Sequence, residues 1–205
     1  MARGPERLEA FSDGVFGIAL TLLVLEFRVP DPSPTLTNGA LRGELLALWP
    51  SLVAYSISFV VVLIMWISHH ELIHLVRKVD YPLLYTNGGV LLTVTFVPFP
   101  TAVLARHLGT QAASSAAAFY CGTFFVISLT WSALLAAIIW NRRLVKPDVP
   151  DSTLVRIRSA YMLGQGVYGL AALLACWNAF AGLALCTSLW LMWMKLCYGS
   201  RQPTV

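Results

Sequence analysis

Ionisable and polar side chains stand inside the most apolar stretches of this sequence, where their energetic cost predicts either a function or a specific buried partner. Ser12 and Asp13 open the first apolar stretch, His69 and His70 lie near the end of the second, and Asn87 lies near the start of the third. Such groups can bond to one another between helices, or they can relay protons or ions. Because buried polar groups that can pair usually serve packing, we favour an interhelical hydrogen-bond cluster over a relay.

One of these stretches contains a metal-ligand motif. His70-Glu71-Leu-Ile-His74 matches H-E-x-x-H, in which two histidines one helical turn apart bind zinc and the glutamate acts as a base. A catalytic zinc needs a third protein ligand. Asp80 and Asp13 are the candidates, and neither lies in a recognisable third-ligand motif. A zinc-dependent intramembrane protease is therefore an alternative function. The favoured expectation is that the protein binds no metal ion.

The first apolar stretch also carries an apolar stripe. Ile18, Leu22 and Leu25 recur at i, i+4 and i+7, which places them on one face of a helix. Taken alone, such a stripe is more often protein core than the hydrophobic constriction of a pore. Thr21 lies among these residues and is one of the few hydroxyl side chains there, which favours the pore interpretation.

Composition defines the class of protein. The chain has 205 residues, of which 58% are hydrophobic and 12% charged, and its mean hydropathy is +0.71. A soluble domain carries about 25% charged residues, so the sequence predicts an all-α integral membrane protein. Since a spanning helix needs about 20 apolar residues, we predict one transmembrane domain over residues 1–205. Its six spans are expected at roughly 7–28, 49–76, 81–105, 114–140, 157–177 and 179–197, with 29–48 as a turn-rich connector.

Basic residues orient the six spans. If the N-terminus is cytoplasmic, eleven of the fourteen Lys and Arg residues lie on the cytoplasmic side and three on the outer side. The cytoplasmic set is Arg3, Arg7, Arg77, Lys78, Arg142, Arg143, Lys146, Arg156, Arg158, Lys195 and Arg201, and the outer set is Arg28, Arg42 and Arg106. This asymmetry predicts that both termini are cytoplasmic. The net charge of +4 then reflects topology, and no nucleic-acid partner is expected.

A glycine pattern lies in the fifth predicted span. Gly164-Gln-Gly166-Val-Tyr-Gly169 matches G-x-G-x-x-G, but no strand precedes it, so dinucleotide binding is not indicated. Small residues in an apolar helix instead predict a close approach between helices.

The segment Arg7-x-x-x-Phe11-Ser12-Asp13 at the start of the first span resembles the signature of the transmembrane protein 175 family of endosomal, lysosomal and prokaryotic potassium channels. Further similarities to that family are Trp66-x-x-His69, Asp80, Asn87 and Thr95-Phe96-x-Pro98. His70, Glu71 and His74 do not belong to the shared pattern, which weakens the protease alternative.

The resemblance implies a potassium-permeable cation channel that assembles as a homotetramer, with four copies of helix 1 lining the pore. Ile18 would form the main constriction, followed by Leu22 and Leu25, and Thr21 would tune selectivity. The residues implied to hold helix 1 in place are Arg7, Phe11, Ser12, Asp13, Trp66 and His69, to which the polar cluster adds Asn87.

The expected function is therefore a channel and not an enzyme. The sequence contains no T-V-G-Y-G filter and no arginine-repeat voltage sensor. Its expected partners are potassium ions, the lipid bilayer and further copies of the chain, without a cofactor, in the cell membrane of a prokaryote. A proton-coupled secondary transporter using Asp13 and the histidines is the second alternative.

The basic asymmetry yields a topology prediction. A fluorescent reporter fused after Val205 should be active in the cytoplasm, because an even number of spans returns the C-terminus to the side of the N-terminus. A phosphatase fused at the same position should be inactive. Periplasmic phosphatase activity would contradict the six-span assignment.

Overall fold

Helices make up the regular structure of the chain. A computed structural model describes residues 4–27, 37–140 and 142–199, and within these ranges there are eight α-helices. They are α1 Glu6–Leu22, α2 Asn38–Ala47, α3 Trp49–His74, α4 Tyr81–Phe96, α5 Pro98–His107, α6 Ala113–Trp140, α7 Asp151–Ala175 and α8 Ala179–Gly199, with 3₁₀ turns at Leu23–Glu26 and Arg142–Leu144. In these residues the only β-type pairing is an isolated bridge between Val76 and Val145. The all-α class predicted from the sequence is confirmed.

Four helical segments of the described residues are long and apolar enough to cross a membrane. They are Glu6–Leu25, Trp49–His74, Tyr81–His107 and Ala113–Trp140, and Ala179–Met194 is a shorter apolar helix. These segments match the first four predicted spans and most of the sixth. Helix α7 is 25 residues long, but its first half contains Arg156 and Arg158, which lower its apolar character. The count of six spans stays a prediction.

The third predicted span, 81–105, consists of two helices in the structure. Helix α4 ends at Phe96 and α5 begins at Pro98, and Val97 between them keeps helical dihedral angles, with φ −53° and ψ −38°. A proline lacks a backbone N–H, and its ring clashes with the carbonyl four residues earlier. Pro98 therefore kinks a continuous segment, without reversing the chain direction.

The prediction of a turn-rich connector over residues 29–48 is wrong for its second half. Residues 38–47 form helix α2, because Thr37 caps its N-terminus by accepting a 3.2 Å hydrogen bond from the backbone N–H of Ala40. Asn38 and Gly39 are the first two residues of this exposed helix. Residues 29–36 of the connector lie outside the described residues, and so do Arg3, Arg28 and Arg201 of the basic-residue count.

The core of the bundle lies around α6, which packs against α4, α5, α7 and α8. Tyr120 on α6 is fully buried. Its hydroxyl lies 2.9 Å from Oγ of Ser58 on α3, and that oxygen lies 2.7 Å from Oγ1 of Thr101 on α5. The three hydroxyls satisfy one another, as polar groups among apolar helices must. This cluster ties α3, α5 and α6 together.

Two loops at one end of the bundle are also joined. The backbone N–H of Arg77 donates to the carbonyl of Leu144 at 2.8 Å, and the N–H of Lys146 donates to the carbonyl of Leu75 at 2.9 Å. These bonds fix the end of α3, and hence the start of α4, against the segment that follows α6.

Glycines on α7 and α8 lie at close helix contacts. A Cβ built at Gly182 of α8 would lie 2.7 Å from the Cα of Ala175, and one at Gly164 of α7 would lie 2.7 Å from the Trp193 ring. At Gly166, the middle glycine of the pattern, a Cβ meets nothing within 4 Å. The close approach predicted for this glycine pattern is confirmed at Gly164.

The α7–α8 contact can be tested with one methyl group. Gly182→Ala should lower the free energy of unfolding by about 1–3 kcal/mol, because its Cβ overlaps backbone atoms of Ala175 that cannot rotate away. Thermal unfolding in detergent should show a lower midpoint. The matched variant Gly166→Ala, which has open space, should not be destabilised. Equal midpoints for the two variants would contradict the close contact.

Candidate pore helix and its anchor

Helix α1 has two distinct faces. One face packs against α3 and α4 and carries Leu8, Ser12, Phe16, Ala19 and, in the following 3₁₀ turn, Leu23, all buried. The opposite face is exposed within one chain, and it carries Phe11 (65% exposed), Ile18 (58%), Leu22 (40%) and Leu25 (71%). The spacing of both sets follows the helical period of 3.6 residues. The predicted stripe is therefore not part of the core of a single chain.

A directed chain of hydrogen bonds holds the buried face. Nε2 of His69 donates to Oδ1 of Asn87 at 2.7 Å, Nδ2 of Asn87 donates to Oγ of Ser12 at 3.1 Å, and Oγ of Ser12 donates to the carbonyl of Leu8 at 2.8 Å. Each donor has one acceptor in this arrangement, which assigns the proton of His69 to Nε2. Ser12, Asn87 and His69 are buried on three different helices, so the chain joins α1, α3 and α4.

Aromatic rings enclose this chain of bonds. The His69 ring lies 5.4 Å from the Phe16 ring and 6.1 Å from the Trp131 ring, measured between centroids. Phe16 is fully buried and Trp131 nearly so. Their packing fixes the orientation of the imidazole, and a low-dielectric environment strengthens the bonds that it makes.

A second set of contacts runs beside the first. Nε1 of Trp66 donates to Oδ1 of Asp13 at 2.8 Å, and Nδ1 of His70 lies 2.7 Å from Oε1 of Glu9. Glu9 precedes Asp13 by four residues and His70 follows Trp66 by four residues. The two pairs therefore form a ladder one helical turn apart between antiparallel helices α1 and α3.

These contacts refine the predicted polar cluster. Ser12, His69 and Asn87 meet as expected, whereas Asp13 bonds to Trp66, and His70 faces Glu9 in the next turn. The single hydrogen-bond cluster expected from the sequence is therefore two separate sets of contacts.

Glu9 takes part in the α1–α3 contacts but was not predicted from the sequence. Its spacing of one turn before Asp13 was a usable signal, since Trp66 and His70 have the same spacing on α3.

Two predicted anchor residues lie elsewhere. Arg7 and Phe11 are on the exposed face of α1, so one chain does not bring them to Ser12 or Asp13. Both share the face of Ile18 because offsets of seven and eleven residues complete nearly whole turns. The predicted anchoring role of these two side chains stays a prediction.

Thr21 also lies at the exposed surface of α1. Its hydroxyl donates to the carbonyl of Ile18 at 2.8 Å, a bond within the same helix. This bond uses the hydroxyl proton and leaves the oxygen lone pairs available as acceptors. An exposed oxygen therefore lies one turn beyond the Ile18 side chain.

The proposed third ligands of the H-E-x-x-H motif are occupied by other contacts. Asp13 accepts from Trp66, and Asp80 caps α4 by accepting from the backbone N–H of Leu83 at 3.0 Å. Neither carboxylate completes a site with His70 and His74.

Comparison with known proteins places this helix arrangement in a family. The model of the family "Endosomal/lysosomal potassium channel TMEM175" matches residues 7–98, which include α1 from its second residue, α3, α4 and all the hydrogen bonds that hold α1. A potassium channel of Chamaesiphon minutus is 40% identical over 191 residues, covering 91% of this chain and 94% of the relative. A potassium channel of Streptomyces collinus is 42% identical over 172 residues, covering 82% and 81%.

A solved structure agrees with these relatives. The crystal structure of a lysosomal potassium-selective channel TMEM175 homolog from Chamaesiphon minutus matches with a TM-score of 0.83 and 37% identity, covering 94% of this chain and 97% of that one. The human endosomal/lysosomal proton channel TMEM175 is 45% identical over 78 residues, which are 36% of this chain and 16% of the human protein. The chain belongs to the transmembrane protein 175 family, and it is a membrane channel protein.

The anchor of α1, which is the hydrogen-bond chain from His69 through Asn87 to Ser12, can be tested at Asn87. Asn87→Ala should lower the free energy of unfolding by about 1–3 kcal/mol, because the buried N–H of His69 loses its acceptor. Thr86→Ala is the matched control, since the Thr86 hydroxyl bonds only to carbonyls of its own helix, at 2.9 Å and 3.2 Å. Thermal unfolding in detergent compares the two variants. A drop for Thr86→Ala as large as that for Asn87→Ala would contradict the anchor.

Proposed function

We propose that the chain is a potassium-permeable cation channel in which copies of α1 line the pore. One observation carries the proposal: the face of α1 that bears Ile18, Leu22 and Leu25 is exposed, while its opposite face is held by buried hydrogen bonds. A helix fixed in this way presents a defined stripe to a second molecule. The names of the bacterial relatives support potassium as the permeant ion.

The composition of the exposed face supports a pore over a lipid contact. Besides the apolar stripe it carries Arg7 and the Thr21 hydroxyl, neither of which gains from contact with acyl chains. A Cβ built at Gly14 or Gly17 meets nothing within 4 Å. Small exposed residues let helices of neighbouring copies approach closely. The number of copies, four, comes from the family resemblance.

The stripe suggests how conduction is limited. Ile18 lies twelve residues after Glu6, the first residue of α1, which is about 18 Å along the helix axis. That depth is near the middle of a bilayer whose hydrocarbon core is about 30 Å thick. A ring of branched apolar side chains there is poorly wetted, so ions meet a barrier. Leu22 and Leu25 extend the apolar lining beyond it.

Selectivity in this proposal comes from a hydroxyl instead of a carbonyl filter. The sequence has no T-V-G-Y-G segment. The exposed oxygen of Thr21 gives one polar ligand per copy close to the constriction. A ring of hydroxyl oxygens replaces only part of an ion's hydration shell, so the preference for K⁺ over Na⁺ should be modest.

The proposed membrane arrangement is a single domain with six spans and both termini in the cytoplasm, in the plasma membrane of a prokaryote. Helix α7 is 25 residues long, about 37 Å, which is sufficient to cross with its Arg156 and Arg158 in the cytoplasmic headgroup region. The turn between α7 and α8 takes only three residues, 176–178, so α8 returns beside it. No cofactor is required for this function.

Ile18→Asn tests the constriction. The substitution should raise conductance severalfold and weaken discrimination among K⁺, Na⁺ and larger cations, because an amide ring is wetted and lets ions pass hydrated. Thr21→Val should change the K⁺ to Na⁺ preference more than the total current, since it removes the hydroxyl and keeps the volume. Single-channel recording or liposome flux measures both, on protein first shown to be tetrameric.

Leu170→Asn is the control for these variants. Leu170 is 51% exposed on α7, which packs against α6 and α8, so its substitution should leave conductance and selectivity unchanged. A folded Ile18→Asn tetramer with the conductance and selectivity of the wild type would remove Ile18 from the pore. Flux that saturates at the slow rate of a carrier cycle would favour the transporter alternative instead.

A further inference from the structure

Three metal-ligating side chains meet where α1 and α3 pack near the start of α1. They are Glu9 of α1 and His70 and His74 of α3, and one potential ligand atom from each lies within 4.8 Å of the other two. Nδ1 of His70 and Oε1 of Glu9 are 2.7 Å apart, and the two histidine rings are 4.5 Å apart between centroids. Neither Asp13 nor Glu71 belongs to this group.

The donor set fits a transition-metal ion. Imidazole nitrogen and carboxylate oxygen are ligands for zinc and its neighbours, and two histidines four residues apart on a helix can bind one ion together. With metal–ligand bonds of roughly 2.0–2.2 Å, donors of a tetrahedral zinc site lie about 3.3–3.6 Å apart. His74 is exposed at the last residue of α3, so its ring is able to turn and close the remaining distance.

We propose that Glu9, His70 and His74 form a binding site for a divalent transition-metal ion such as Zn²⁺, and that the bound ion ties α1 to α3. This departs from the expectation of no metal, which considered only Asp13 and Asp80 as third ligands. The role of the ion in this proposal is structural, because its ligands come from two different helices and join α1 to α3.

The position of the site between α1 and α3 means that a bound ion stabilises the packing of these two helices. Glu9 lies one turn from Asp13, and His70 lies one turn from Trp66, so the ion extends the same α1–α3 ladder. A metal bridge is stronger than the Glu9–His70 contact that it replaces, and it adds His74 to the tie. The ion stabilises the arrangement in which α1 is held by its inner face. The site does not depend on whether the chain conducts potassium.

Metal binding to the purified full-length protein is the test. The expression tag should be one without histidines, and calorimetry in detergent should show one saturable Zn²⁺ ion per chain. Co²⁺ should give the visible absorption bands of a low-coordinate nitrogen and oxygen site. Mg²⁺, which prefers an octahedral shell of oxygen atoms, should not bind there.

Variants of the ligands connect the binding to the site. His74→Asn and Glu9→Gln should each weaken Zn²⁺ binding by at least about tenfold, as even loss of a group that only supports a ligand costs that much. His107→Asn, an exposed histidine on α5, and Glu71→Gln should bind Zn²⁺ like the wild type. His74 is exposed, so its variant should fold normally.

Thermal unfolding tests the tie between the helices. Zn²⁺ should raise the midpoint of the wild type, because an ion that binds the folded state shifts the equilibrium toward it. The same ion should leave the midpoint of His74→Asn nearly unchanged. The proposal is overturned by a wild type without a saturable Zn²⁺ ion, by full affinity in both ligand variants, or by Zn²⁺ binding that leaves the wild-type midpoint unchanged.

Discussion

A polar side chain inside a bilayer has no water to bond with, and Ser12, Asn87 and His69 meet this constraint by bonding to one another, which leaves Nδ1 of His69 as the buried atom of this set without a partner. The three residues come from α1, α4 and α3, so the need to satisfy each polar group fixes the relative position of three helices. Apolar contacts alone would not do this in lipid, since acyl chains are as apolar as leucine. The hydrogen-bond chain therefore specifies one rotation of α1 about its axis, and the exposed stripe is a consequence of that rotation.

The rest of the bundle holds the partners of this chain in place. Helix α4, which carries Asn87, is set by the Asp80 cap at its start and by the kink at Pro98 at its end. Helix α3, which carries His69, is tied to α5 and α6 through Ser58. Two backbone bonds, from Arg77 to Leu144 and from Lys146 to Leu75, join the loop before α4 to the segment after α6. The anchor of α1 thus depends on a rigid support of four helices.

The same arrangement links the proposed pore with the proposed metal site. Both use α1, but they use different parts of it: the apolar stripe lies on the outer face beyond Gly14, and Glu9 lies on the α3 side in the first turns. The Asp13–Trp66 pair stands between them. In these two proposals, a change in how tightly α1 is held near Glu9 acts on the first turns of the helix, whereas the side chains at Ile18, Leu22 and Leu25 set which ions pass.

The sequence by itself determined the class of protein, the helical content and the candidates for the pore. Composition and long apolar runs require a membrane protein of helices, because only internally bonded helices satisfy the backbone in lipid. Spacing placed Ile18, Leu22 and Leu25 on one face, since the helical period is a local property. The positions of Ser12, His69 and Asn87 near the ends of three consecutive apolar stretches also grouped them, because consecutive spans cross the membrane in opposite directions.

Tertiary structure alone decided which side chains meet. Asp13 bonds to Trp66 instead of the histidines, and His70 faces Glu9, because antiparallel packing of α1 on α3 sets a register that neither helix contains. Helix α2 lies in the second half of the predicted connector, where the Thr37 side chain caps its first turn. The exposure of the Ile18 stripe, too, was not readable from its period. A period gives a face, and only packing decides whether that face is turned inward or left for a second molecule.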